Sequence, residues 1–125
     1  MAPNIFKNES DVVGFKQGDS IFGPGDPGEL MFAVKSGEVD ILIHDIHVET
    51  VSEGGIFGEM GLIEHKTRSG RAVARTDCEL VRVDEDRFMT LVKYNPFFAL
   101  EVLKVTTARL RRMDDRLKPP DGAEA

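Results

Sequence analysis

The sequence predicts a mainly β domain with α, an antiparallel β-barrel followed by two C-terminal helices. Three observations carry this. Short β-branched and aromatic runs recur between Gly- and Pro-rich turns, the apolar periodicity becomes helical near Asp84, and 125 residues suffice for one core but not for two ordinary domains.

Residues 15–51 are dense in β-branched and aromatic side chains. Within SGEVDILI, Val39, Ile41 and Ile43 alternate with Asp40, Leu42 and His44, so the segment reads as a strand with one consistently apolar face. The cluster GPGDPGE is a tight turn ahead of a second strand, LMFAV. RAVART and CELVRV continue the series, and many short strands between glycine-rich turns suit a sandwich or a barrel.

From Asp84 the segment DEDRFMTLVKY places Phe88, Leu91 and Val92 at helical spacing behind an Asp cap and an acidic first turn. Asn95-Pro96 ends that helix and starts another, Asn as cap and Pro at the first helical position. The second helix is predicted over 96–117, with Phe97, Leu100, Leu103, Leu110 and Met113 as its apolar positions. A single domain over 1–118 and a disordered tail over 119–125 follow.

The mix of 41% apolar and 30% charged residues is that of a globular domain, and no apolar run has bilayer-spanning length. MAPNIFKNES lacks the basic and apolar regions of a secretory signal, which places the protein in the cytoplasm, away from membranes. Cys78, the single cysteine, reads as a small buried strand residue. A net charge of −6 argues against nucleic acid as a partner. The charge is uneven: residues 104–118 hold six basic side chains against two acidic ones, leaving a basic helix on an acidic body. Such a helix can fold back on that body, cover an anionic ligand, or stay solvated.

The segment FGEMGLIEHKTRSG, residues 57–70, concentrates the chemistry. A short helix beginning there would present backbone N–H groups from Gly58 onward to an anion, with Gly58 and Gly61 permitting close approach. Arg68 adds a planar fork matched to two phosphate oxygens, and Ser69 a hydroxyl. Glu59 repels a phosphate and needs a hydroxyl donor or the arginine as its partner. A sugar phosphate meets both demands, whereas the plain alternative is a Glu59–Arg68 ion pair on a surface loop.

These stretches, FKQGDSIFGPGDPGELMFAVKSGEVDIL and EGGIFGEMGLIEHKTRSGRAVARTDCELVRVDEDRF, closely resemble the cyclic nucleotide-binding domain of protein kinase regulatory subunits, nucleotide-gated channels and bacterial catabolite activators. The resemblance covers about residues 12–113 and includes the turn glycines Gly18, Gly25 and Gly37. It implies a jelly-roll-like, double-stranded β-helix barrel, with residues 57–70 as a phosphate-binding cassette. By the same resemblance, Glu59 accepts the ribose 2′-hydroxyl, Arg68 pairs with the cyclic phosphate, and Phe57, Gly58, Met60, Gly61, Ser69 and Gly70 complete the ligand-binding set. The last helix would act as a lid over the base through Arg109 and Met113. Where the family usually has Pro-Arg-Ser-Ala, this chain has Thr67, Arg68, Ser69 and Gly70.

The implied function is a stand-alone regulatory or sensor domain for cAMP in preference to cGMP, with no further cofactor, no catalytic role and a protein effector acting in trans. Two other readings compete. One is a nucleotide-independent protein-interaction module on the same fold, the other a cupin-like metal-binding protein using His44, His47 and Glu49. Three residues apart on one strand, the two histidines would face opposite sides. No P-loop, nucleophile elbow or His-based triad stands out.

Overall fold

The computed structural model describes residues 6–117, with side chains as far as Arg112. Eight strands come first: β1 (Val13–Phe15), β2 (Ser20–Phe22), β3 (Met31–Ser36), β4 (Val39–Ile43), β5 (Ile46–Val51), β6 (Ile56–Phe57), β7 (Arg71–Ala74) and β8 (Cys78–Val83). A short helix α1 (Glu59–Glu64) interrupts them, and α2 (Glu85–Tyr94) and α3 (Pro96–Leu117) follow. The expected tail over 119–125 lies outside the described residues.

The strands form two four-stranded antiparallel sheets, ordered β1-β8-β3-β6 and β2-β7-β4-β5, instead of the closed barrel predicted. The reason is local. Strands of two to six residues are too short to wrap a continuous ring, and the chain repeatedly crosses from one sheet to the other, as at Gly37 (φ 86°) between β3 and β4. Side chains, not ladder hydrogen bonds, fill the space between the sheets. The result is a double-sheet jelly-roll arrangement.

Strand periodicity divides the core in two. On β3, Phe32 and Val34 point between the sheets while Met31 and Ala33 point to the helices; on β8, Cys78 and Leu80 take the inner side and Val81 and Val83 the outer. The inner cluster adds Val39, Val51, Phe57, Ala72 and Ala74. Its counterpart seats Leu62 of α1 and Phe98 and Val102 of α3, with Phe88, Leu91 and Val92 of α2 against it. Full burial of each such aliphatic or aromatic side chain contributes about 1.5–3 kcal/mol. Cys78 is buried as expected, and desolvation, aided by Asp77 and Asp19, pushes its thiol pKa up.

Asp84 caps α2 by accepting from the Arg87 amide at 2.8 Å, as the sequence predicts. The predicted apolar side of α3 is corrected. Phe97, Leu100, Leu103 and Leu110 are all more than half exposed, and Phe98 and Val102 face the core instead. Phe98 fits because Phe6 and Phe88 receive its ring edge-on, with centroids 6.2 and 5.5 Å away. The side chain of Met113 lies outside the described residues. No helix among the described residues is long and apolar enough to cross a membrane.

Candidate functional site

The second sheet, α1 and the loop before β7 enclose a cavity of about 280 Å³. All eight residues proposed from the sequence for ligand binding line it: Phe57, Gly58, Glu59, Met60, Gly61, Arg68, Ser69 and Gly70. Arg109 reaches it from α3. The sequence reading missed the apolar wall of Ile41, Ile43 and Val48, the ring of Phe22, and Arg112, and named Glu49 only as a metal ligand. Alternation along β4 signals Ile41 and Ile43 as one face; nothing local signals Glu49.

Two glycines make the site possible by backbone approach. A Cβ on Gly28 would stand 2.2 Å from the Lys66 carbonyl oxygen and 2.9 Å from Gly61 Cα, so the GPGDPGE turn and the cassette touch backbone to backbone. Two hydrogen bonds lock the contact, Arg68 N–H to Asp26 O at 2.8 Å and Gly25 N–H to Arg68 O at 2.9 Å. Gly28→Ala is therefore expected to destabilise the fold by about 1–3 kcal/mol through overpacking and to weaken ligand binding with it; urea unfolding at the wild-type midpoint would refute this. Gly58, the N-cap of α1, has φ 80°, which favours glycine. Gly70 stands where the resemblance has alanine, and its surroundings are tight. A Cβ there would lie 2.8 Å from Leu42 O and 2.6 Å from Ile43 Cδ1.

Arg68 is 7% exposed and its side-chain hydrogen bonds go to backbone carbonyls. Nη1 donates to Gly58 O at 2.8 Å and Nη2 donates to Leu30 O, while buried Nε has no partner. The guanidinium lies 4.1 Å over the Phe22 ring, itself in contact with Phe32 and Phe57 of the inner core. Desolvation lowers the Arg68 pKa, against the opposing pull of Glu59 and Asp26. Among the described residues no carboxylate forms an ion pair with it. The site thus presents a buried guanidinium with no carboxylate in direct contact among the described residues.

Glu59, 1% exposed, does not pair with Arg68, contrary to the surface ion-pair alternative. Its Oε1 accepts from Arg109 Nη1. Arg109 also donates through Nε and Nη2 to Glu49 at 2.7 and 3.1 Å, and through Nη2 to Ile56 O. Burial works against the Arg109 charge, but hydrogen bonding and attraction from Glu49 and Glu59 outweigh it and raise the pKa. The predicted lid arginine is thus inside the cavity, on carboxylates rather than on an open face. Of the metal-site alternative, His44 and Asp45 form the positive-φ turn between β4 and β5, His47 contacts Asp40 and Thr50, and Glu49 is taken up by Arg109 and Arg112. Among the described residues no three His, Cys, Asp or Glu side chains group to hold a metal.

The arrangement is a double-sheet β domain with a glycine-lined cavity, a buried guanidinium and α3 reaching the opening through Arg109 and Arg112. Comparison places the chain further. Residues 12–95 match the cyclic nucleotide-binding domain model, and the chain belongs to that family. A cAMP-dependent protein kinase regulatory subunit of Aspergillus niger is 31% identical over 84 residues, covering 66% of this chain and 20% of that protein. The chain thus spans about a fifth of the length of the curated relatives it matches. The crystal structure of Thermus thermophilus catabolite activator protein superposes with TM-score 0.74 at 27% identity, covering 92% of this chain and 62% of that one. An EAL enzyme solved with cAMP bound gives TM-score 0.62 at 30% identity over 83% of this chain and 29% of its own. Its cGMP-bound form gives 0.63 at 28% over 85% and 30%.

Proposed function

We propose that this chain binds a cyclic purine nucleotide, cAMP in preference to cGMP, in the cavity under α3, and acts as a regulatory or sensor domain without catalysis. The observation that carries the proposal is Arg68: a buried guanidinium with an orphaned Nε and no carboxylate in ion-pair contact among the described residues. A buried charge is costly until paired, and a cyclic phosphate supplies the pair. The second oxygen of Glu59 can receive the ribose 2′-hydroxyl while Arg109 keeps the first. The name of the Aspergillus relative supports cAMP, and the two forms of the EAL enzyme keep cGMP as the competitor to test.

Signalling is then a population shift. A ligand that contacts the cavity and α3 together favours the covered position of α3 by its differential affinity for the two positions, and an effector in trans reads that position. Calorimetric titration of nucleotide-stripped protein with cAMP and with cGMP tests the reading. The expected result is saturable one-to-one binding at micromolar concentration or tighter, stronger for cAMP; no heat with either ligand on folded protein would overturn it.

A further inference from the structure

Two different forces hold α3 along its length. Its first half is anchored by burial, Phe98 and Val102 in the outer core with Val105 packed against them. Beyond Val105, the polar contacts described between α3 and the sheets and α1 are made by the guanidinium groups of Arg109 and Arg112. Arg109 grips both oxygens of Glu49, Arg112 Nη1 donates to Glu49 Oε1 at 2.9 Å, and Arg109 Nη1 donates to Glu59. Glu49 stands on β5, sixty positions before Arg109, and its side chain is 17% exposed against 13% for the arginine. One carboxylate of the second sheet thus gathers two arginines of the lid.

We propose that Glu49 is the positioning residue that holds the second half of α3 over the cavity, and that it thereby sets how long a bound nucleotide stays. The proposal rests on the nucleotide reading above. Fully exposed ion pairs contribute little, but this one is sheltered, forked and shared by two cations. With both its oxygens taken up by Arg109 and Arg112, Glu49 acts through them. Its removal leaves Arg109 on Glu59 and Ile56 O, so the site keeps its arginine while the tether from β5 to α3 is lost. Loosening should therefore be confined to the far half of α3.

The experiment combines amide hydrogen exchange on the ligand-free chain at low and high salt with the dissociation rate of a fluorescent cAMP analogue, for wild type and Glu49→Gln. In the variant, exchange over residues 106–112 and nucleotide dissociation should each quicken about tenfold, with the association rate nearly unchanged, since loss of a sheltered charge partner acts on dissociation. Exchange over residues 98–105 should stay at the wild-type rate. Salt should speed exchange more in the wild type than in the variant, which keeps only the Arg109–Glu59 pair, a difference that a merely structural role would not produce. Glu49→Asp should restore part of both rates. Wild-type exchange over 106–112 in Glu49→Gln, or quickened exchange with unchanged dissociation, would overturn the proposal. If neither protein binds nucleotide yet exchange quickens in the variant, the tether stands and the nucleotide reading fails. Arg112→Gln, which breaks the same tether from the helix side, serves if Glu49→Gln does not fold.

Discussion

Arg68→Ala is expected to weaken cyclic nucleotide binding on the order of thirty- to several-thousand-fold, the equivalent of about 2–5 kcal/mol for truncating one member of a buried charge pair. This guanidinium is buried with desolvation working against its charge, and Nε has nothing to donate to. An anion removes that cost, so affinity draws on it directly. Stability should change less than affinity: the alanine variant leaves the carbonyls of Gly58 and Leu30 without this donor, but it also removes the buried charge. Arg68→Lys should fall between, keeping the charge and losing the fork. Calorimetry beside urea unfolding separates these effects. A folded Arg68→Ala protein with near-wild-type affinity would detach the phosphate from this residue.

Residues 57–70 were legible in the sequence because their chemistry is local. Glycines flanking a carboxylate, an arginine beside a serine, and a strand before a short helix all lie within fourteen residues, and the structure brings the named residues to one cavity. The strands were legible for the same reason, since alternation at Val39, Ile41 and Ile43 needs only neighbours. Closure of the sheet was not. Whether eight short strands ring a barrel or split into two sheets is decided by pairings such as Val34 with Leu80, far apart in sequence.

Helix α3 shows the same limit from the other side. Several of its faces are apolar, so periodicity alone does not choose between Phe97, Leu100 and Leu103 and the set of Phe98, Val102 and Val105. The receiving surface chooses: Phe6, Phe88, Val81 and Val83 form an apolar seat that accepts Phe98 and Val102. The basic character of its far half was visible, and so was the option that it folds back on an acidic body. Its acidic partners were hidden, because Glu49 reaches Arg109 across sixty residues and Glu59 across fifty.

Glu59 gives the second large effect, and a ligand variant isolates it. A ribose 2′-hydroxyl donating to a buried carboxylate is a charge-assisted hydrogen bond worth about 1.5–3 kcal/mol, so 2′-deoxy-cAMP should bind the wild type on the order of ten- to a hundred-fold more weakly than cAMP. Glu59→Ala alone is ambiguous, because it also deprives Arg109 of a partner and can loosen α3. The cycle of the two changes resolves this. If Glu59 serves the ribose, the deoxy penalty should nearly vanish in Glu59→Ala, since no acceptor is left to lose. If Glu59 serves only Arg109, cAMP and its deoxy analogue should differ by the same factor in both proteins. Equal affinity of the wild type for the two ligands would remove the ribose role outright and leave Glu59 as a lid contact.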